Sequence, residues 1–116
     1  MENFTIVRPE YLNHFGNLFG GVLLQWVDEF AWIAAARDFP GNSFVTVAMS
    51  EVRFRKSVKN GSILRFDISL AKKGKTAVHY NADVYAALPE DVAENCVFST
   101  QISFVKIDSE GNKCEI

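Results

Sequence analysis

Asp28 is the residue in this sequence best placed to do chemistry. It follows Gly21 by seven positions, which on a helix is about two turns or ~10 Å along one side. A carboxylate set among apolar side chains is partly desolvated and becomes a better base. It can take a proton from an attacking water, or attack a carbonyl itself. The structural alternative is a carboxylate at a helix contact, hydrogen-bonded to a neighbouring subunit. Gly20 and Gly21 stand where that helix begins. Small residues there let a carbonyl approach free backbone N–H groups, and the positive dipole end favours a developing oxyanion. Tight helix–strand packing would call for glycine equally well.

Two basic clusters accompany this set. Lys72, Lys73 and Lys75 surround a turn, and Arg53, Arg55, Lys56 and Lys59 close a strand. In an acidic chain such patches suit phosphate groups, although a solvated face is the usual fate of such runs. Asn13 can both donate and accept a hydrogen bond, while loop capping is the commoner task of asparagine. Asn17 fits that capping task better. His14 reads as a loop residue, Glu29 as a structural or subunit-contact carboxylate, and Cys96 as core.

The elements that must position these residues can be read from periodicity. Phe4 to Val7 is a first strand, stopped by Pro9. A polar loop leads to a helix from Gly21 to about Phe39, ended by Pro40 and Gly41. On a helical wheel Gln25, Asp28 and Glu29 fall within an arc of about 100°, and nearly every other position is apolar. This narrow polar seam predicts that something wraps most of the helix. Four strands follow: Phe44 to Arg55, Leu64 to Leu70, Val78 to Tyr85 and Cys96 to Ile107. The apolar phase shifts within the first of them, from Val45, Val47 and Met49 to Val52 and Phe54, which predicts a bulge. Asn60-Gly61 predicts a hairpin turn. The polar stretch 108–116 is expected to fray. Strands without intervening helices join as antiparallel neighbours, so the expected class is α+β, an antiparallel sheet curled round one helix.

The chain has 116 residues and a net charge of −2. One domain over 1–116 is expected. Hydrophobic residues make up 48% of it, which excludes a disordered or collagen-like chain. The charge balance excludes a general basic field for nucleic acid. Cys96 and Cys114 form no ligand cluster with His14 or His79, so no metal site is expected and a reducing, cytoplasmic setting fits. The first residues form no signal peptide. The most apolar window, Gly20 to Ala36, is too short and too polar to span a bilayer.

The run Asn13-His14-Phe15-Gly16-Asn17-Leu18-Phe19-Gly20-Gly21, followed by Leu23 and Asp28, resembles the acyl-CoA thioesterases of the hotdog fold. Within them it is most similar to the bacterial short-chain and vertebrate cytosolic enzymes. Phe44-Val45-Thr46-Val47, Phe54 and Lys73-Gly74-Lys75-Thr76-Ala77-Val78 extend the likeness from about Arg8 to Ile107. The chain departs from the family at Lys56-Ser57, where Arg-Pro is usual, and at Ala77, where Ser is usual.

The resemblance implies a curved sheet wrapped round one central helix, and hydrolysis of acyl-CoA to a free acid and CoA. It implies Asp28 as base or nucleophile, with Asn13, Gly20 and Gly21 polarising the carbonyl. Gly74, Lys75 and Thr76, with Arg55 and Lys56, would contact CoA. No cofactor is implied beyond the CoA of the substrate. It implies a dimer in which the Asn and the Asp of one site come from different subunits, assembled further as a dimer of dimers or a trimer of dimers. An alternative is a hotdog module that binds acyl-CoA or an acyl carrier without turnover. A dehydratase would require His14 or His79 to face a carboxylate. Trp26, Phe30 and Trp32 are candidates for narrowing an acyl tunnel.

Overall fold

The computed structural model describes residues 1–116. In chain order the elements are β1 (Glu2–Ile6), a single 3-10 turn (Pro9–Tyr11), α1 (Gly20–Asp38), β2 (Phe44–Phe54), β3 (Ile63–Lys73), β4 (Ala77–Ala87) and β5 (Asn95–Lys106). The five strands form one sheet in the order β1-β3-β4-β5-β2, with every neighbouring pair antiparallel. The expected α+β architecture is present.

Alternation builds the sheet. Leu64, Phe66 and Ile68 of β3, Val78, Tyr80, Ala82 and Val84 of β4, and Phe98, Ile102 and Phe104 of β5 are all buried against α1. Most of their outward neighbours are polar, Val97 and Val105 of β5 excepted, so a one-residue slip would bury polar groups and the register is fixed. The helix answers with Leu23, Val27, Ala31, Ala34 and Ala35, a stripe at helical spacing whose alanines let the sheet approach closely. Trp26 and Phe30 flank the stripe and pack edge-on to Phe66, and Tyr11 packs edge-on to Trp26. These rings therefore serve the helix–sheet seam. Pro40 and the positive φ of Gly41, 84°, turn the chain out of the helix, and Asn42 Nδ2 donates to Phe39 O at 2.9 Å. Below that end, the buried Tyr80 hydroxyl donates to Asp38 Oδ2 at 2.7 Å. Burial and this bond push the tyrosine pKa up.

Three expectations need correction. Asn60-Gly61 does form a turn, with Ser62 N donating to Lys59 O at 3.2 Å and Gly61 at φ 82°. It does not close a hairpin, because β2 pairs with β5 and β3 pairs with β1 and β4. Gly61 N donates to Val7 O and Val7 N to Ser62 O, both at 2.9 Å, so the turn is clamped to the end of β1 instead. Residues 108–116 are tied down: Cys114 N donates to Lys106 O and Ile116 N to Lys75 O. Cys96 is half-buried beside the irregularity at Val84 and Tyr85, outside the core.

The phase shift in β2 has the predicted cause. Its pairing with β5 slips between Thr46 and Ala48, and again between Ser50 and Arg53. β2 is also an edge strand, and Val45, Val47, Val52 and Phe54 on it are exposed. Within one chain the sheet covers a single stripe of α1. Val22, Leu24, Ile33 and Ala36 stay half-buried, and Trp32 is 43% exposed. The wrapping that the narrow polar seam predicts is not completed by this chain's own sheet. No helix is long and apolar enough to cross a membrane.

Candidate active site

The loop before α1 is shaped by Asn13. Its Oδ1 accepts the N–H groups of Phe15 at 2.9 Å and Asn17 at 3.1 Å. Asn13, rather than Asn17, is thus the residue that caps the loop. Both oxygen positions are spent on the backbone, and Nδ2 donates to no protein group. The amide is held with its donor end available.

The helix that follows begins bare. Phe19 is the N-cap residue, no side chain caps it, and the first turn holds no acidic residue. Val22 and Leu23 N–H groups reach Phe19 O. The Gly20 and Gly21 N–H groups have no acceptor in the chain, as the geometry of a first turn requires. A Cβ on Gly20 would meet Phe54 Cε1 at 3.3 Å, and one on Gly21 would meet Phe19 Cε1 at 2.9 Å. The neighbour at Gly20 belongs to β2, so close helix–strand packing calls for glycine there; the neighbour at Gly21 is Phe19 of the preceding loop, so at Gly21 it does not. Asn13, Gly20, Phe54, Arg55 and Lys56 share one groove of about 490 Å³, floored by Leu18, Leu23 and Val58.

Asp28 lies elsewhere. It is half-buried, and its Oδ1 accepts a hydrogen bond from Thr46 Oγ1 at 2.6 Å. Gln25, Glu29, Trp32 and Thr46 line the same hollow of about 260 Å³. Apart from Trp32 this lining is polar, so the apolar surround expected for Asp28 is not supplied by its own chain. Trp32 itself donates from Nε1 to Phe44 O at 3.0 Å, which anchors the helix to the start of β2. Sequence reasoning placed Thr46 in the likeness but gave it no contact with Asp28.

The basic residues divide in the same way. Arg55 N donates to Val97 O at 2.8 Å and Arg55 Nη2 to Ser99 Oγ at 3.0 Å, at the far end of β2. Gly74, Lys75 and Thr76 form the β3–β4 turn, where Thr76 O accepts Lys106 N and Gly74 N donates to Ala77 O. Lys106 pairs with Phe44, so this turn lies at the near end of β2. Along β5, nine residues from Val97 to Lys106, about 30 Å, separate the two groups. One chain therefore brings together Asn13, Gly20, Gly21, Arg55 and Lys56 at one end. It sets Asp28, Thr46, Gly74, Lys75 and Thr76 toward the other.

Neither histidine joins these groups. His14 is exposed and stacks on Phe15, and His79 Nδ1 lies 2.6 Å from Ser103 Oγ.

Residues 15–93 match the thioesterase superfamily. The chain belongs to that superfamily. It is 28% identical over 112 residues to a Zymomonas mobilis protein named as an uncharacterized acyl-CoA thioester hydrolase, covering 97% of this chain and 74% of that one. Against the human mitochondrial acyl-coenzyme A thioesterase 9 the identity is 36% over 64 residues, 55% of this chain but 14% of the human one. Among solved structures, a hexameric hotdog fold thioesterase of Campylobacter jejuni superposes with a TM-score of 0.85 at 27% identity, covering 98% of this chain and 87% of that chain. The fold of this thioesterase-superfamily chain is accordingly the hotdog fold.

Proposed function

We propose that this protein hydrolyses acyl-CoA thioesters to a free acid and CoA, at sites shared between two copies. One observation carries the reading. The glycine groove and the Asp28–Thr46 pair are anchored to opposite ends of the same free strand edge, at Phe54 and at Thr46. Pairing two β2 edges about a two-fold axis sets residue i against its mirror position in the other copy. An axis near Ser50 sets Phe54 against the partner's Thr46. That brings a carboxylate to the groove beside Asn13 and Gly20. The same operation carries the Gly74–Thr76 turn of one copy toward Arg55 and Lys56 of the other, two halves of one CoA surface.

The chemistry then follows from the groups present. The thioester carbonyl accepts hydrogen bonds from the Gly20 and Gly21 N–H groups and from Asn13 Nδ2. The oxygen of Asp28 that Thr46 does not hold takes a proton from water as the water attacks the carbonyl carbon. The negative charge that develops on the carbonyl oxygen faces fixed donors at a helix N-terminus. Collapse breaks the C–S bond, CoA leaves as thiolate, and the proton held by Asp28 goes to it. No cofactor beyond the CoA of the substrate is called for. The names of the Zymomonas and human relatives support this substrate class. The hexameric Campylobacter structure supports further assembly of such dimers, as a trimer of dimers in preference to a dimer of dimers. Unpaired Cys96 and Cys114 accord with a cytoplasmic setting.

Mixing two inactive variants tests the shared site. Asn13→Ala and Asp28→Ala each remove one half. A mixed dimer rebuilds one intact site, so random exchange of the two should restore roughly a quarter of wild-type thiol release. No recovery after exchange refutes the shared site. No thiol release by the wild type from any acyl-CoA in a chain-length series refutes the hydrolase.

A further inference from the structure

The hollow that holds Asp28 is lined by 5 residues. Thr46 donates to one oxygen of Asp28, and the Trp32 ring is pinned by its bond to Phe44 O. The remaining two, Gln25 and Glu29, are exposed and hydrogen-bond to nothing within the chain. Both side chains can accept a hydrogen bond, and Gln25 does so without carrying charge.

A water that attacks a thioester carries two hydrogens. One goes to the free oxygen of Asp28. The second needs an acceptor of its own, because a water held at a single point turns about that bond and loses its aim at the carbonyl carbon. Helix geometry separates the two candidates. Gln25 precedes Asp28 by three residues, so the two side chains are neighbours on one face, with Cβ atoms about 5–6 Å apart. A water bonded to both at about 2.8 Å fits between them. Glu29 follows Asp28 directly, and consecutive side chains on a helix diverge by about 100° and do not face each other. A second carboxylate beside the water would also oppose the charge on Asp28. The neutral amide of Gln25 does not.

We propose that Gln25 orients the hydrolytic water, its Oε1 accepting the hydrogen that Asp28 does not take. The role rests on the acyl-CoA hydrolase reading of the Asp28 site. As the water oxygen bonds to the carbonyl carbon, one proton passes to Asp28 and the other stays on the new hydroxyl, against Gln25 Oε1. When the C–S bond breaks, the thiolate takes the proton from Asp28, and the hydroxyl departs with the product acid. Gln25 gains and loses no atom. Thr46 holds the base, whereas Gln25 holds the nucleophile.

Thiol release from acyl-CoA by single and paired variants of the full chain tests the assignment. Gln25→Met keeps the length of the side chain and removes the acceptor. Its kcat should fall about tenfold or more with KM nearly unchanged, the mark of a contact made to the attacking group. Gln25→Glu restores an oxygen at the same reach and should fall between Gln25→Met and the wild type. In an Asp28→Asn background the water has no base to be aimed at, so adding Gln25→Met should cost less than about twofold more. An unchanged kcat in Gln25→Met overturns the proposal, as does a rise in KM alone or an equal loss in the Asp28→Asn background. A loss carried by Glu29→Gln in place of Gln25→Met gives the water to Glu29. Failure of Gln25→Met to self-associate on size-exclusion chromatography assigns the side chain to a subunit contact. Gln25 is exposed and methionine is a good helix former, so the variant folds, and an unchanged circular dichroism spectrum verifies it. The two readings fail separately. If Asp28→Asn is inactive while Gln25→Met is unimpaired, only the water contact falls. If Asp28→Asn keeps the wild-type kcat, or the wild type releases no thiol, the hydrolase site falls and Gln25 with it.

Discussion

Thr46 Oγ1 donates to Asp28 Oδ1 at 2.6 Å, between residues 18 apart in sequence. The bond leaves one carboxylate oxygen uncommitted and fixes where it points. Thr46→Val keeps the shape of the side chain and removes the donor. Thr46 is exposed on an edge strand, so melting should move little. We expect kcat to fall about tenfold with KM nearly unchanged, the mark of a lost positioning contact. An unchanged kcat would remove Thr46 from the site.

Gly21 gives a test that separates packing from chemistry. Alanine in a helix is more favourable than glycine by about 0.5–1 kcal/mol. The Cβ it adds would lie 2.9 Å from Phe19 Cε1, and Phe19 is 54% exposed, so its ring can swing aside. Gly21→Ala should therefore melt at or above the wild-type temperature. Its kcat should drop by about 10²-fold, the scale of a blocked oxyanion donor. A drop in melting temperature with activity retained would assign the glycine to packing.

Asn13 carries two tasks on two atoms. Asn13→Asp retains oxygen acceptors for the Phe15 and Asn17 N–H groups but has no N–H donor. The loop should survive and thermal stability should stay within a few degrees, while hydrolysis is lost by about 10²-fold or more. Asn13→Ala should lose both, with about 1 kcal/mol of stability gone with the cap. Comparing the two melting curves checks whether the oxygen and the nitrogen do separate work.

The buried Tyr80 hydroxyl makes stability depend on alkaline pH. Its folded pKa is raised by burial and by the bond to Asp38, so folding favours the protonated form. That contribution is full below the ordinary tyrosine value near 10 and is lost as pH climbs through the raised one. Tyr80→Phe should cost about 1–2 kcal/mol at pH 7. Urea unfolding at pH 7, 9 and 11 should show the gap between wild type and variant narrowing at the highest pH. A gap that widens there contradicts the sign.

Local pattern carried much of this structure. The alternation from Leu64 to Ile68 and the phase shift after Met49 report burial and pairing within a few residues and correspond to observed features, whereas Leu70 is exposed and the wrapping expected from the seam of Gln25, Asp28 and Glu29 is not completed within the chain. Asn60-Gly61 misled because turn chemistry specifies a bend and not which strands flank it; the pairing of β2 with β5 spans some fifty residues and leaves no local trace. Asp28 and the glycine pair could be picked out as a helical spacing. Thr46 could not, because nothing between Val45 and Val47 marks a threonine that reaches back to the helix.

The two borders of the sheet are unlike. β1 offers five residues and β2 offers eleven, twice bulged. A strand edge that pairs with its own kind closes on itself, whereas unlike edges joining head to tail would propagate. The short border gives a newcomer little ladder to extend. Accretion into fibrils is thereby disfavoured in a chain whose long border is rich in valine.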